Sequence, residues 1–150
     1  MSRAATGLRE GDRVALLVSP STSYVEAVLA LLAGGIVPIP LDPRLTEHER
    51  QRILAGLDPT LVVTEESVLD ALLAAHRPDG PVTGWLPRAR PMHCTSGTTG
   101  TPKGVWSGVL ADDAAGALLS EERDLWGFAA DDVNLVLSSL YHSAPLRCAM

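Results

Sequence analysis

Residues 95–104 read Thr-Ser-Gly-Thr-Thr-Gly-Thr-Pro-Lys-Gly, ten positions that hold three glycines, four threonines, one serine, one proline and one lysine. Such a composition has almost nothing to bury, so the stretch is read for chemistry. Gly97, Gly100 and Gly104 are expected to let the backbone turn through positive φ and approach a ligand closely. Successive amide N–H groups in turns of this kind line a concave anion site, and the hydroxyls of Thr95, Ser96, Thr98, Thr99 and Thr101 add donors. Lys103 supplies a mobile point charge suited to phosphate, and Pro102 stiffens the bend beside it. Together these residues suit the binding of a polyphosphate. A Walker A loop needs Gly, four residues, Gly-Lys, then Ser or Thr. Counted from Gly97, Pro102 stands where the second glycine should be and Gly104 where the hydroxyl should be. That pattern fails at two required positions. A flexible Gly/Thr linker is the competing structural reading, and the apolar runs on both sides and the Pro-Lys-Gly ending argue against it.

The elements that would position this loop can be read upstream and downstream of it. Residues 14–18 (Val-Ala-Leu-Leu-Val) read as a strand buried on both faces. Ser21 or Ser23 caps a helix to about Ala33, which Gly34-Gly35 stops. Residues 36–41 form a second strand, placed at a sheet edge by Pro38 and Pro40. Thr46 and Glu49 make a capping box for a helix through Ile53, Leu54 and Leu57, which ends at Asp58-Pro59. A third strand follows at 61–64, then a helix with Val68, Leu69, Leu72 and Leu73 on one face, then a turn-rich break at 77–81. Short apolar strands alternating with amphipathic helices imply an α/β fold with a mostly parallel sheet flanked by helices. The loop is expected to follow a strand near 91–94, at its carboxyl end, where backbone amides are free. A helix is expected between Asp112 and Gly127, and a further strand at 133–137 that leads to Tyr141 and His142.

The chain has 150 residues, with 46% hydrophobic and 20% charged residues, as expected of one globular domain. Its net charge of −6, with no basic block, argues against nucleic acid or an anionic membrane as the main partner. Cys94 and Cys148 form no spaced framework and read as reduced, buried thiols. The start lacks the apolar core of a signal peptide, and no apolar run reaches the length of a membrane span, so a cytoplasmic location is expected. His48, His76 and His93 have no metal-ligand spacing and read as structural. Residues 121–124 read as a solvated helix face, and Trp85, Trp106 and Trp126 as packing residues.

Residues 95–104 also resemble, without a break, the signature loop of the acyl-adenylate-forming (AMP-binding) superfamily, which includes acyl-CoA synthetases, adenylation domains of nonribosomal peptide synthetases and luciferases. Residues 11–15 (Gly-Asp-Arg-Val-Ala) and 32–40 are similar to stretches that the family places upstream. Leu140-Tyr141-His142-Ser143-Ala144-Pro145 is similar to its later aromatic-His motif. The resemblance is closest to an acid–CoA ligase. It implies a two-step reaction in which a small carboxylic acid attacks the α-phosphorus of ATP to give acyl-AMP and pyrophosphate, and a thiol, commonly of CoA, then displaces AMP. It also implies phosphate binding by Thr95, Ser96, Thr98, Thr99 and Lys103, with Gly97, Gly100 and Gly104 allowing the shape, and Mg²⁺ as a bridging ion whose protein ligand lies outside this sequence. A histidine after an apolar strand is, by its residues alone, more often structural than catalytic. The resemblance instead puts His142 beside the reacting carboxylate. Trp106-Ser107 stands where the family often has Thr-His, and Ser139 where it often has Pro. The family's adenine, ribose and Mg²⁺ motifs and its C-terminal domain with the adenylation lysine have no counterpart before Met150. The chain is therefore expected to be a partial N-terminal adenylation domain, residues 1–150, without catalytic competence of its own. A non-catalytic nucleotide-binding remnant, or one part of a split assembly, is the alternative, and a phosphotransferase with an unusual loop is a third.

Overall fold

Val14, Ala15 and Leu16 lose all contact with solvent, and this unbroken apolar run makes β1 (Arg13–Leu16) the central strand of a parallel sheet. A computed structural model describes residues 7–81, 84–95, 103–127, 129 and 131–150. β1 pairs on one side with β2 (Val37–Pro40) and on the other with β3 (Leu61–Val63), giving the order β2-β1-β3 with every pairing parallel. Val37 and Leu41 donate their N–H groups to Asp12 and Leu16 on the β1 side. Strand geometry then turns Pro38 and Pro40 to the other side, where a missing N–H costs no ladder bond.

The helices begin and end where their terminal residues dictate. Ser21 Oγ accepts the Tyr24 N–H at 3.1 Å and opens α1 (Thr22–Ala33). Gly34 caps it, and Gly35, at φ 72°, turns the chain back toward β2. In α2 (Glu47–Leu57), Thr46 Oγ1 accepts the Glu49 N–H at 3.3 Å while the Glu49 carboxylate accepts the Thr46 N–H at 2.9 Å, a complete capping box. Asp58, left-handed at φ 47°, ends it. α3 (Glu66–His76) packs against α1 and buries Leu69 and Leu72. The main core runs from Leu8 to Leu146 and includes Tyr24, Leu31, Ile36, Ile39, Leu57 and Met92.

β4 (His93–Thr95) and β5 (Lys103–Val105) form a separate two-stranded antiparallel sheet, tied to the parallel sheet where the Met92 N–H donates to Pro38 O at 2.9 Å. The bend thus follows a strand, as expected, but lies between two antiparallel strands and not at the end of a strand in the parallel sheet. α4 (Asp112–Trp126) ends at the left-handed Gly127 and is held by Arg88–Asp112 and Arg90–Glu122 ion pairs at 3.0 and 2.9 Å. α5 (Ser143–Ala149) closes the chain.

Three expectations are corrected here. Residues 133–137 form no strand. Val136 packs on the core and Asn134 Nδ2 donates to Cys148 O at 2.7 Å, but Val133, Leu135 and Leu137 are 99%, 77% and 86% exposed. Among the described residues no backbone hydrogen bond engages 133–138, so the apolar alternation has no neighbouring strand to pair with. Of the three tryptophans only Trp85 is buried; Trp126 is 60% exposed at the end of α4, and Trp106, just past β5, is 37% exposed with the Arg13 guanidinium 5.9 Å from its ring centre. Cys148, too, is exposed on the short α5; it and Cys94 are free thiols.

Candidate phosphate-binding site

The β4–β5 ribbon presents the two ends of the glycine-threonine loop. Its period of two sends Cys94 and Gly104, which are cross-strand partners, toward the core. The next pair, Thr95 and Lys103, is exposed, on the opposite face, and closes the bend. Thr95 Oγ1 donates to Lys103 O at 3.4 Å. Among the described residues no carboxylate pairs with the Lys103 ammonium. Ser96, Gly97, Thr98, Thr99, Gly100, Thr101 and Pro102 lie outside the described residues.

Gly104 departs from expectation. Its φ is not positive, and it stands inside β5 and not in the bend. The reason for a glycine is space, since a Cβ would lie 2.5 Å from Met92 Sδ and 2.7 Å from Leu57 Cδ2. The close approach that the sequence suggested is therefore to α2 and Met92.

His142 is the N-cap residue of α5, exposed, with its ring 4.6 Å from that of Tyr141 and tilted by 56°. Sequence reasoning missed what fixes this step. Arg44 Nη2 donates to Tyr141 Oη at 2.9 Å, while Arg44 Nε and Nη2 fork onto the Asp42 carboxylate at 3.1 and 3.0 Å. Hydrogen bonds from the Arg44 side chain and backbone are the main causes that lower the Asp42 carboxyl to about 2. The Asp42-Pro43-Arg44 turn could have signalled an Asx-type bond, but nothing in the sequence points to Tyr141. His93, in β4, is half-buried, and burial holds it below its ordinary value, helped by the charges of Arg147 and His142. No hydrogen bond joins His142 to Thr95, Lys103 or Gly104 among the described residues.

Among the described residues no group of three or more His, Cys, Asp or Glu could hold a metal ion. No described helix is long and apolar enough to cross a membrane. The chemistry the geometry offers is an exposed ammonium, unpaired with any carboxylate among the described residues, and an exposed hydroxyl held to Lys103 O, at the two ends of a stretch rich in glycine and hydroxyls, a combination suited to phosphate oxygens.

Residues 3–87 match the family described as AMP-binding enzyme. The chain belongs to this AMP-binding enzyme family. The match ends before β4. Among its relatives is a feruloyl-CoA synthase of Amycolatopsis sp, 33% identical, aligned over 95% of this chain and 32% of that protein. Another is the nonribosomal peptide synthetase ivoA of Emericella nidulans, 32% identical over 66% of this chain and 7% of its own length. The ATP-bound MatB of Rhodopseudomonas palustris superposes with a TM-score of 0.66 at 27% identity, covering 97% of this chain and 34% of MatB. The chain thus has the α/β architecture of the N-terminal subdomain of adenylate-forming enzymes, and it spans about a third or less of each of these proteins.

Proposed function

We propose that the 95–104 bend binds the phosphates of ATP as part of an adenylate-forming ligase. In that reaction a carboxylate oxygen attacks the α-phosphorus, the bond to the β-phosphate bridging oxygen breaks, and pyrophosphate leaves with the electron pair. A thiolate sulfur then attacks the acyl carbon of the acyl-AMP and AMP leaves. Phosphoryl-type displacement asks a protein mainly for positioning and for charge compensation on the non-bridging oxygens. Lys103, with the hydroxyls of Ser96, Thr98, Thr99 and Thr101, has the donors for this; the Thr95 hydroxyl joins them by exchanging its 3.4 Å bond to Lys103 O for a phosphate oxygen, and Gly97 and Gly100 give the backbone room. Mg²⁺ would accompany the triphosphate and neutralise part of its charge. His142 is assigned to the acyl side, beside the reacting carboxylate. The substrate class is a small carboxylic acid. CoA is the proposed acceptor, with a carrier-protein thiol as the other source, since relatives include both a CoA synthase and a nonribosomal peptide synthetase.

The observation that carries this reading is the exposed Lys103, free of any carboxylate among the described residues, opposite Thr95 at the mouth of the bend. Residues 1–150 are assigned as part of an N-terminal adenylation domain that needs further groups for turnover. The test is MgATP titration of the chain combined with acid-dependent ATP–pyrophosphate exchange. Binding that falls about tenfold in Lys103→Ala, with no exchange by the chain alone, is expected. Acid-dependent exchange by these 150 residues would overturn the assignment as an incomplete domain. Release of ADP would replace the ligase with a phosphotransferase.

A further inference from the structure

The β4–β5 ribbon is seated on the rest of the molecule from two sides. On the β4 side the Met92 N–H holds it to Pro38 O on the sheet edge. On the β5 side Gly104 lies directly against Leu57, the buried last residue of α2. The carbonyl of Leu57 has no onward helical partner, and it accepts a hydrogen bond from Arg13 Nη1 at 2.9 Å. The same guanidinium lies 5.9 Å from the centre of the Trp106 ring, two residues beyond Gly104. A guanidinium suits this double contact. Its N–H groups donate in its plane to the partial negative charge of a helix C-terminus, while the cation is attracted to an aromatic face. Among the described residues no carboxylate pairs with Arg13. One side chain on the central strand therefore joins the end of α2 to the exit of β5.

We propose that Arg13 is a positioning residue for the phosphate-binding bend: through the Leu57 carbonyl and the Trp106 ring it fixes where β5, and with it Lys103, stands relative to Thr95. The inference rests on the reading of that bend as a nucleotide-phosphate site. It makes the Trp at position 106 a working part of the bend's mount, since an aromatic ring is what the cation needs there. Leu57 adds the steric half, its Cδ2 filling the space that a side chain on Gly104 would need.

The test combines amide hydrogen exchange with MgATP titration on the full chain and its Arg13→Ala, Arg13→Lys, Trp106→Leu and Lys103→Ala variants. In Arg13→Ala the amides of β4 and β5 should exchange at least about fivefold faster while those of Val14, Ala15 and Leu16 hold, and MgATP binding should weaken roughly fivefold. Trp106→Leu, which leaves the sheet untouched, should shift both readouts in the same direction. Arg13→Lys, which can reach the carbonyl but lacks the planar fork, should recover part of the loss. Unchanged β4–β5 exchange in both Arg13→Ala and Trp106→Leu, or a loss of protection spread evenly over β1, β2 and β3, would overturn the proposal. If the ribbon loosens as expected but the unsubstituted chain and Lys103→Ala both ignore MgATP, the anchoring stands and the nucleotide reading falls.

Discussion

A methyl group on Gly104 would meet Met92 Sδ at 2.5 Å and Leu57 Cδ2 at 2.7 Å, and both belong to the packed core. Gly104→Ala is therefore expected to cost about 1–3 kcal/mol as an overpacking change. Urea unfolding measures it, and the same Gly104→Ala change should cost less when made in a Met92→Ala background than in the unsubstituted chain. The glycine itself was legible in the sequence, but its reason was not. Its neighbours come from other elements, and only the fold brings them to it. His93 gives a second test at this scale. Burial first, then the charges of Arg147 and His142, hold its pKa below the ordinary 6.5. A histidine lowered in this way takes up its proton more readily in the unfolded chain. Stability should thus be complete above about pH 6.5 and decline as the pH falls through the folded value. His93→Gln should flatten the dependence of Tm on pH between 7 and 5. An unchanged slope would assign the decline to other groups.

At the level of elements, what was written locally was read correctly. Thr46 with Glu49 and Gly34-Gly35 act on backbone groups within a few residues of themselves, so their roles at the ends of α1 and α2 follow from spacing, whereas the choice of Ser21 over Ser23 as the α1 cap comes from the structure. Pro38 and Pro40 likewise announced an edge strand because a missing N–H has the same meaning in any sheet. Residues 133–137 show the limit. Alternation tells which side chains share a face, not whether a strand lies alongside, and here none does among the described residues. The capping box carries a prediction of its own. Thr46→Ala should cost about 1 kcal/mol. Because α2 also presents Leu57 to Gly104, amide exchange in β5 should quicken with it. Loss of stability with β5 unaffected would separate the helix from the ribbon.

The whole molecule joins a three-stranded parallel sheet to an antiparallel ribbon that carries the ends of the candidate site. The family and the α/β architecture were legible because a ten-residue loop and the strand–helix alternation both survive in the sequence, whereas the Arg13–Trp106 and Arg44–Tyr141 contacts are products of folding alone. Leu125, Trp126, Val133, Leu135 and Leu137 remain exposed, and Val133, Leu135 and Leu137 stand close together in sequence. Concentration-dependent self-association is expected in sedimentation. The combined Val133→Thr, Leu135→Thr and Leu137→Thr substitutions should lower it without lowering Tm. Identical sedimentation of the two forms would show that this surface does not drive association.

The central claim is that the bend closed by Thr95 and Lys103 holds nucleotide phosphates. Backbone-amide NMR of the chain titrated with MgATP tests it most directly. The account predicts saturable shifts concentrated at residues 95–104 and lost in Lys103→Ala. Shifts confined to other parts of the chain, or none at 95–104 at saturating MgATP, would contradict it.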